Sequence, residues 1–114
     1  MLMREDRIKT LLQASKSAGP LTVGFLLVPN FSMLAFASAI EPLRAANRMS
    51  GQDLFSWVIS SPTGATPEAS NGVKVNVQGT PEMLQDCRLV FVCAGLDVKA
   101  HADKETLNLI RRLD

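Results

Sequence analysis

The segment from Leu21 to Gly51 constrains the fold of this 114-residue chain more than any other. It opens with an apolar run, Val23–Val28, which is typical of a strand covered on both faces in a parallel sheet. Pro29-Asn30 then predicts a turn. The next apolar residues recur at helical spacing: Met33, Phe36, Ile40 and Leu43. A strand, a turn and a helix in this order form the first half of a βαβ unit, with a cleft where the strand ends.

The ends of this helix carry their own signals. Ser32 is a good N-cap residue, so the helix is expected to start just after it. Near Asn47 to Gly51 the helix is expected to end, with Gly51 supplying a left-handed cap. Pro42 lies inside the pattern and predicts either a kink or a new first turn.

The rest of the chain predicts three further strands. Alternation indicates strands at Phe55–Ser60 and at residues 73–77, the second half-exposed, and the apolar run Leu89–Cys93 indicates a buried one. Thr80-Pro81 opens a short helix, and Asp103 caps a last one. The order β-α-β-β-α-β-α predicts an α/β three-layer sandwich with a mostly parallel sheet, flavodoxin-like in outline. Val23–Val28 and Leu89–Val92 are expected to be neighbouring interior strands.

Length and composition set limits on the kind of protein. The chain is long enough for one domain, taken as residues 21–114, with residues 1–20 as a leader of a short helix and a linker. Twelve basic and eleven acidic residues are interspersed, so binding of DNA by this segment is not expected. No apolar run reaches the length of a membrane span and the N-terminus has no signal-like apolar region, which predicts a cytoplasmic protein.

Motifs for metals and cofactors are missing from the sequence. Cys87 and Cys93 do not form a C-x-x-C pair, and His101 is the only histidine, so structural zinc is rejected. VPNFS stands where a dinucleotide fold has G-x-G-x-x-G, and there is no P-loop. We therefore predict neither a metal nor a cofactor.

Topology gives the candidate site. Ligands of such sheets bind beyond the carboxyl ends of the strands. The candidate ligand-binding residues in these loops are Pro29, Asn30, Phe31, Ser61, Cys93, Ala94 and Gly95. The competing interpretation is that these loops are simply turns. Cys93 is the sharpest single candidate for a nucleophile, but no base lies in its own turn, so no catalytic residue is assigned.

Glu41 has a functional and a structural interpretation. It could act in the cleft as an acid or base, or it could pair with Arg44 or Arg48 on the helix surface; we favour the surface pair.

Four aromatic residues also have two interpretations. They could form a box that binds a quaternary ammonium group, or they could be part of the hydrophobic core; we favour the core. They are Phe31, Phe36, Phe55 and Trp57.

Several segments carry a resemblance to a known family. VGFLLVPNFSMLAFASAIEPLRAANRMSG, FSWVISSPTG, ASNGVKV and LVFVCAG resemble the N-terminal domain of AraC-type transcription regulators of the amidotransferase-like group. That domain is similar to PfpI-like proteases and class I glutamine amidotransferases. The resemblance covers about residues 20–114, and its most specific phrase is F-x-x-L-x-F-x-S-x-x-E-P-L-R-x-A-N.

The resemblance implies a non-catalytic, effector-sensing and dimerising domain. Its effector would be a small amine such as betaine, carnitine or arginine, and DNA would be bound only through a separate C-terminal domain. One alternative is a fragment of a PfpI-like cysteine hydrolase or amidotransferase-related enzyme, with Cys93 or a later thiol as nucleophile. Another is a non-functional or purely structural remnant. In the PfpI-like enzymes the nucleophilic cysteine follows the last helix seen here, and an acid stands near the position of Leu34, which is apolar in this chain. Both departures argue against catalysis.

The resemblance also implies an incomplete domain, with the strand that would lie beside Leu89–Cys93 falling after Asp114. An uncovered strand edge recruits another chain. Self-association of the polypeptide is therefore expected.

Overall fold

The structure is a computed structural model, and it describes residues 19–95. Three strands and one long helix organise this part of the chain. They are β1 (Leu21–Leu27), α1 (Met33–Ser50), β2 (Phe55–Ser60) and β3 (Leu89–Cys93), with a 3-10 helix at Pro81–Leu84 before β3. The predicted leader, His101 and the last helix lie outside the described residues.

All three strands are parallel, in the order β2-β1-β3. Phe25 of β1 lies opposite Ile59 of β2 and Phe91 of β3. The apolar run thus forms the centre of the sheet, and its neighbour is Leu89–Cys93 as predicted. The α/β fold with a parallel, flavodoxin-like sheet is confirmed.

Helix α1 covers one face of the sheet. Its Phe36 ring packs edge-on against Phe25, with ring centroids 5.5 Å apart. The predicted caps are present, since the Ser32 hydroxyl accepts a hydrogen bond from the Ala35 N–H and Gly51 is left-handed with φ 68°. Helix α1 continues through Pro42 with no new start.

The segment around the 3-10 helix covers the opposite face. A Cβ atom on Gly24 would come within 2.8 Å of the Leu84 side chain and 3.0 Å of the Cys87 sulfur. Glycine at this position therefore lets the segment pack directly on β1. Because β1 has cover on both sides, Phe25 and Leu26, whose side chains alternate between the faces, are both fully buried.

The predicted strand at residues 73–77 is wrong. This stretch makes only an isolated antiparallel bridge, between Lys74 and Glu68, and a parallel bridge joins Gly79 to Ser60. Val75 and Val77 nevertheless pack against the core. The alternating pattern indicates which side chains are half-buried. A strand also needs a neighbouring strand that pairs with its backbone along its length, and this stretch has none among the described residues. Among the described residues, no helix has the length and hydropathy to cross a lipid bilayer.

Candidate functional site

The carboxyl ends of β1 and β3 are joined by backbone hydrogen bonds. The Val28 N–H donates to the Cys93 carbonyl at 3.0 Å, and the Ser32 N–H donates to the Ala94 carbonyl at 3.4 Å. Gly95 lies so close to the Asn30 carbonyl that a Cβ atom at this position would overlap that oxygen. The loop after β1 and the loop after β3, both predicted to belong to the site, are therefore in direct contact.

A third segment, residues 68–70, closes against the same loops. The Asn30 N–H donates to the Glu68 carbonyl at 2.8 Å, and the Ser70 N–H donates to the Phe31 carbonyl at 2.8 Å. Asn30 itself is left-handed, with φ 71°, a conformation that asparagine tolerates better than most residues. We call residues 29–32, 68–70 and 93–95 together the β1–β3 rim.

Two of the predicted site residues in the β1–β3 rim bury their side chains. Phe31 is fully buried and packs edge-on against Phe36, with centroids 6.1 Å apart. Cys93 is 1% exposed. Pro29 is exposed, while Asn30, Ala94 and Gly95 are half-buried.

Ser61 occupies a different place. It follows β2, its side chain is buried, and its hydroxyl donates to the Ala65 carbonyl at 2.6 Å. That bond closes its own turn. The structure therefore unites six of the seven candidate residues in the β1–β3 rim and gives Ser61 a local structural contact.

The electrostatics of the two cysteines disfavour thiolate chemistry in this part of the chain. Burial raises the pKa of the Cys93 thiol from 9.0 to about 11. Burial, reinforced by the neighbouring charge of Asp86, also raises the pKa of the Cys87 thiol. A nucleophilic cysteine needs the opposite shift. Within residues 19–95, no three His, Cys, Asp or Glu side chains come together in a way that would hold a metal ion.

Glu41 lies outside the rim. Its carboxylate pairs with the Arg44 guanidinium on the exposed surface of α1, as the favoured interpretation predicted. The aromatic residues Phe31, Phe36 and Phe55 lie in the core, with Trp57 packed against it. This is also the favoured interpretation.

Sequence reasoning missed the segment 68–70. Glu68 is exposed and its backbone carbonyl accepts the hydrogen bond from Asn30, and Ala69 is 2% exposed. The signal was available in two forms: the turn residues Asn71-Gly72 that follow, and the ASNGVKV phrase of the family resemblance. Neither signal says which strand end the turn returns to.

The described residues have an α/β fold like that of DJ-1/PfpI proteins. A DJ-1 superfamily protein from Agrobacterium tumefaciens matches with a TM-score of 0.59 and 20% identity over 82% of this chain and 47% of that one. An AraC family transcriptional regulator from Pseudomonas putida matches with a TM-score of 0.61 and 27% identity over 72% of this chain and 52% of that one.

Curated relatives of the chain are transcription regulators. The regulator GlxA of Rhizobium meliloti is 40% identical over 88% of this chain and 31% of its own length. CdhR of Pseudomonas aeruginosa is 42% identical over 79% of this chain and 26% of its own length. GbdR of the same species is 31% identical over 84% of this chain and 26% of its own length. All three are HTH-type transcriptional regulators.

These comparisons confirm the resemblance inferred from the sequence. The chain is a homologue of AraC-type transcription regulators, in a region with the DJ-1/PfpI-like fold. It spans about a third or less of the length of the curated relatives it matches. No family model matches the chain.

Proposed function

We propose that this chain is a non-catalytic, effector-sensing and dimerising domain of an AraC-type transcription regulator acting in the cytoplasm. The observation that supports this most is the β1–β3 rim. Three segments meet where a parallel sheet binds ligands, and the rim's one cysteine is buried with a thiol pKa raised to about 11. A strand-end position with a protonated, buried thiol favours the binding of a ligand over nucleophilic attack on one.

The proposed effector is a small amine, such as betaine, carnitine or arginine. The resemblance suggests this class, and the exposed Glu68 of the rim offers a carboxylate for a cationic group. The fold uses the backbone carbonyl of Glu68, not its carboxylate, in the hydrogen bond to Asn30. Glu68→Gln therefore removes the charge and leaves that bond in place.

Calorimetry and thermal shift with betaine, carnitine and arginine test the proposal. We expect at least one amine to raise the melting temperature, and Glu68→Gln to weaken that amine's binding by about tenfold or more, as loss of a charged partner does. Asp53→Asn, at another exposed acid, serves as the matched control and should bind normally. If the folded protein binds none of the amines, the proposed effector class is wrong.

Thiol labelling separates sensing from the hydrolase alternative. With a pKa of about 11, Cys93 should react slowly with iodoacetamide near neutral pH and more slowly than the half-buried Cys87. Rapid labelling of Cys93, together with a hydrolase activity that alkylation abolishes, would favour the enzyme. DNA contact is proposed only through a separate domain.

A further inference from the structure

The pair Asn71-Gly72 lies at the tip of the tight turn formed by residues 68–74. The Ala69 N–H donates to the Val73 carbonyl at 2.8 Å, and the Gly72 N–H donates to the Ala69 carbonyl at 2.9 Å. Gly72 has φ 87°, a left-handed conformation that favours glycine. Both Asn71 and Gly72 are exposed. An asparagine side chain therefore lies in solvent directly before a glycine.

An asparagine before a glycine can lose its side-chain amide without an enzyme. The Gly72 backbone nitrogen gives its proton to hydroxide and attacks the Cγ atom of Asn71. The new N–Cγ bond closes a succinimide ring, and the Cγ–Nδ2 bond breaks, so the amide nitrogen takes a proton from water and leaves as ammonia. Hydrolysis then adds one water molecule at either ring carbonyl and gives aspartate or isoaspartate. Glycine favours the attack because it has no side chain to hinder the approach.

Two hydrogen bonds of the turn act on the reacting atoms. The Gly72 N–H is bonded to the Ala69 carbonyl, so this bond must open before hydroxide can take the proton. The Val73 N–H donates to Asn71 Oδ1 at 3.0 Å, on the oxygen where negative charge develops during the attack. Because residues 70–74 are exposed, the turn can open locally while the rest of the chain stays folded.

The product alters the β1–β3 rim. Isoaspartate continues the chain through its side-chain carbon, so it adds one atom to the backbone of the turn. The Ser70 N–H, which donates to the Phe31 carbonyl at 2.8 Å, belongs to the residue directly before the insertion. Both products also place a second carboxylate on the turn. Oε1 of Glu68 lies 3.7 Å from the point where a Cβ atom on Gly72 would stand.

We propose that Asn71 is a site of spontaneous deamidation in the folded protein, at a rate set by opening of the 68–74 turn. Conversion to isoaspartate releases segment 68–70 from the β1–β3 rim. The reaction needs only water and hydroxide, and it is independent of whether the rim binds an amine. An aged protein therefore differs from a fresh one at the strand ends of the sheet.

Peptide mapping by mass spectrometry tests the reaction in the full chain, aged at mildly alkaline pH. The converted fraction of Asn71 should rise steadily, but more slowly than in a free peptide of residues 66–77, because the bonded Gly72 N–H is protected. Asn76 is the internal control, since it is also exposed but is followed by the β-branched Val77, and it should stay intact. An intact Asn71 when the peptide has fully reacted, a rate equal to the peptide's, or equal conversion of Asn76 would each overturn the proposal.

Hydrogen exchange tests the effect on the rim. In the isoaspartate fraction, identified by an isoaspartate-specific methyltransferase, the amides of Asn30 and Ser70 should lose protection, because they donate to the Glu68 and Phe31 carbonyls. Freshly prepared Asn71→Asp has the charge without the added backbone atom and should keep the protection. Asn71→Gln should keep it after ageing. Lost protection in fresh Asn71→Asp, or unchanged protection in the isoaspartate fraction, would overturn the release of segment 68–70.

Discussion

The two outer strands both pair with β1 in parallel, but they differ in their other contacts. Besides its core packing, β2 has polar side-chain bonds to backbone. The Asn47 amide makes two bonds to Phe55, with its oxygen accepting the N–H and its nitrogen donating to the carbonyl, both at 2.9 Å. At the strand's far end, the Ser60 hydroxyl donates to the Gly79 carbonyl at 3.1 Å.

Besides its pairing with β1, β3 makes packing contacts. Phe91 stacks on Phe25, with centroids 5.5 Å apart and rings 16° from parallel, and Cys93 is buried at the strand's end. Gly95 then brings its backbone against Asn30. The outer edges differ too. Gln78 closes the edge of β2 by bonding to both backbone groups of Ile59, at 2.7 Å each. Within residues 19–95 no strand pairs with the outer edge of β3.

This difference separates the two sides of the sheet. The β2 side carries the polar side-chain bonds, although every buried side-chain nitrogen or oxygen among the described residues has a partner. The β3 side is defined by shape and close approach, and it contributes the rim. Variants on the two sides should therefore lower the free energy of unfolding by different amounts and for different reasons.

The largest effect is expected at the stacked ring of β3. Phe91→Ala should lower the free energy of unfolding by about 3 kcal/mol, because it removes the stacking on Phe25 and leaves a cavity. Phe91→Leu, which keeps most of the volume, should cost less than half as much. Urea denaturation followed by the fluorescence of Trp57, the one tryptophan, measures both. A smaller loss than at Asn47 would contradict the packing account of β3.

The second effect is a pH dependence carried by Cys93. Below pH 9 the thiol is protonated in both states. Between pH 9 and about 11 the unfolded thiol loses its proton while the folded one keeps it, because burial raises its pKa. The free energy of unfolding should therefore fall over this window, by up to about 3 kcal/mol at about 1.4 kcal/mol per pKa unit. Cys93→Ala should show a shallower decline, and parallel curves would contradict the raised pKa.

A smaller effect is expected where α1 is tied to β2. Asn47→Ala should cost about 1–2 kcal/mol, because two part-buried backbone groups of Phe55 lose their partner. Asn76→Ala, at an exposed asparagine, is the matched control and should be nearly neutral. Hydrogen exchange of the Phe55 amide should accelerate in the first variant only. Unchanged protection would mean that water replaces the side chain without cost.

The smallest effect is expected at the outer edge of β2. Gln78→Ala should cost about 0.5–1 kcal/mol, because the bond to the Ile59 N–H is exposed and water competes for it. Gln85→Ala, also exposed, should be neutral. If Gln78→Ala instead promoted self-association, the side chain would also act to protect the edge. Light scattering of the two variants decides this.

Much of the fold was predictable because its signals are local. The apolar run Val23–Val28 located β1 to within two residues of Leu21–Leu27, and Ser32 and Gly51 specified the ends of α1. The error at residues 73–77 arose because alternation records burial, not pairing. For the site, the sequence indicated the loops after β1 and β3 but not the segment 68–70, since its contact with Asn30 joins residues nearly forty positions apart.

The sequence by itself determined the three strands and the long helix and indicated their parallel arrangement, because hydrophobic periodicity and capping act within a few residues. Its phrases also carried the resemblance to AraC-type regulators. Only the tertiary structure decided which groups the rim presents. Phe31 and Cys93 stand at the strand ends where a ligand would bind, yet the core takes both side chains. The physical reason is that burial depends on what packs on both faces of the sheet, and that is settled by residues far away along the chain.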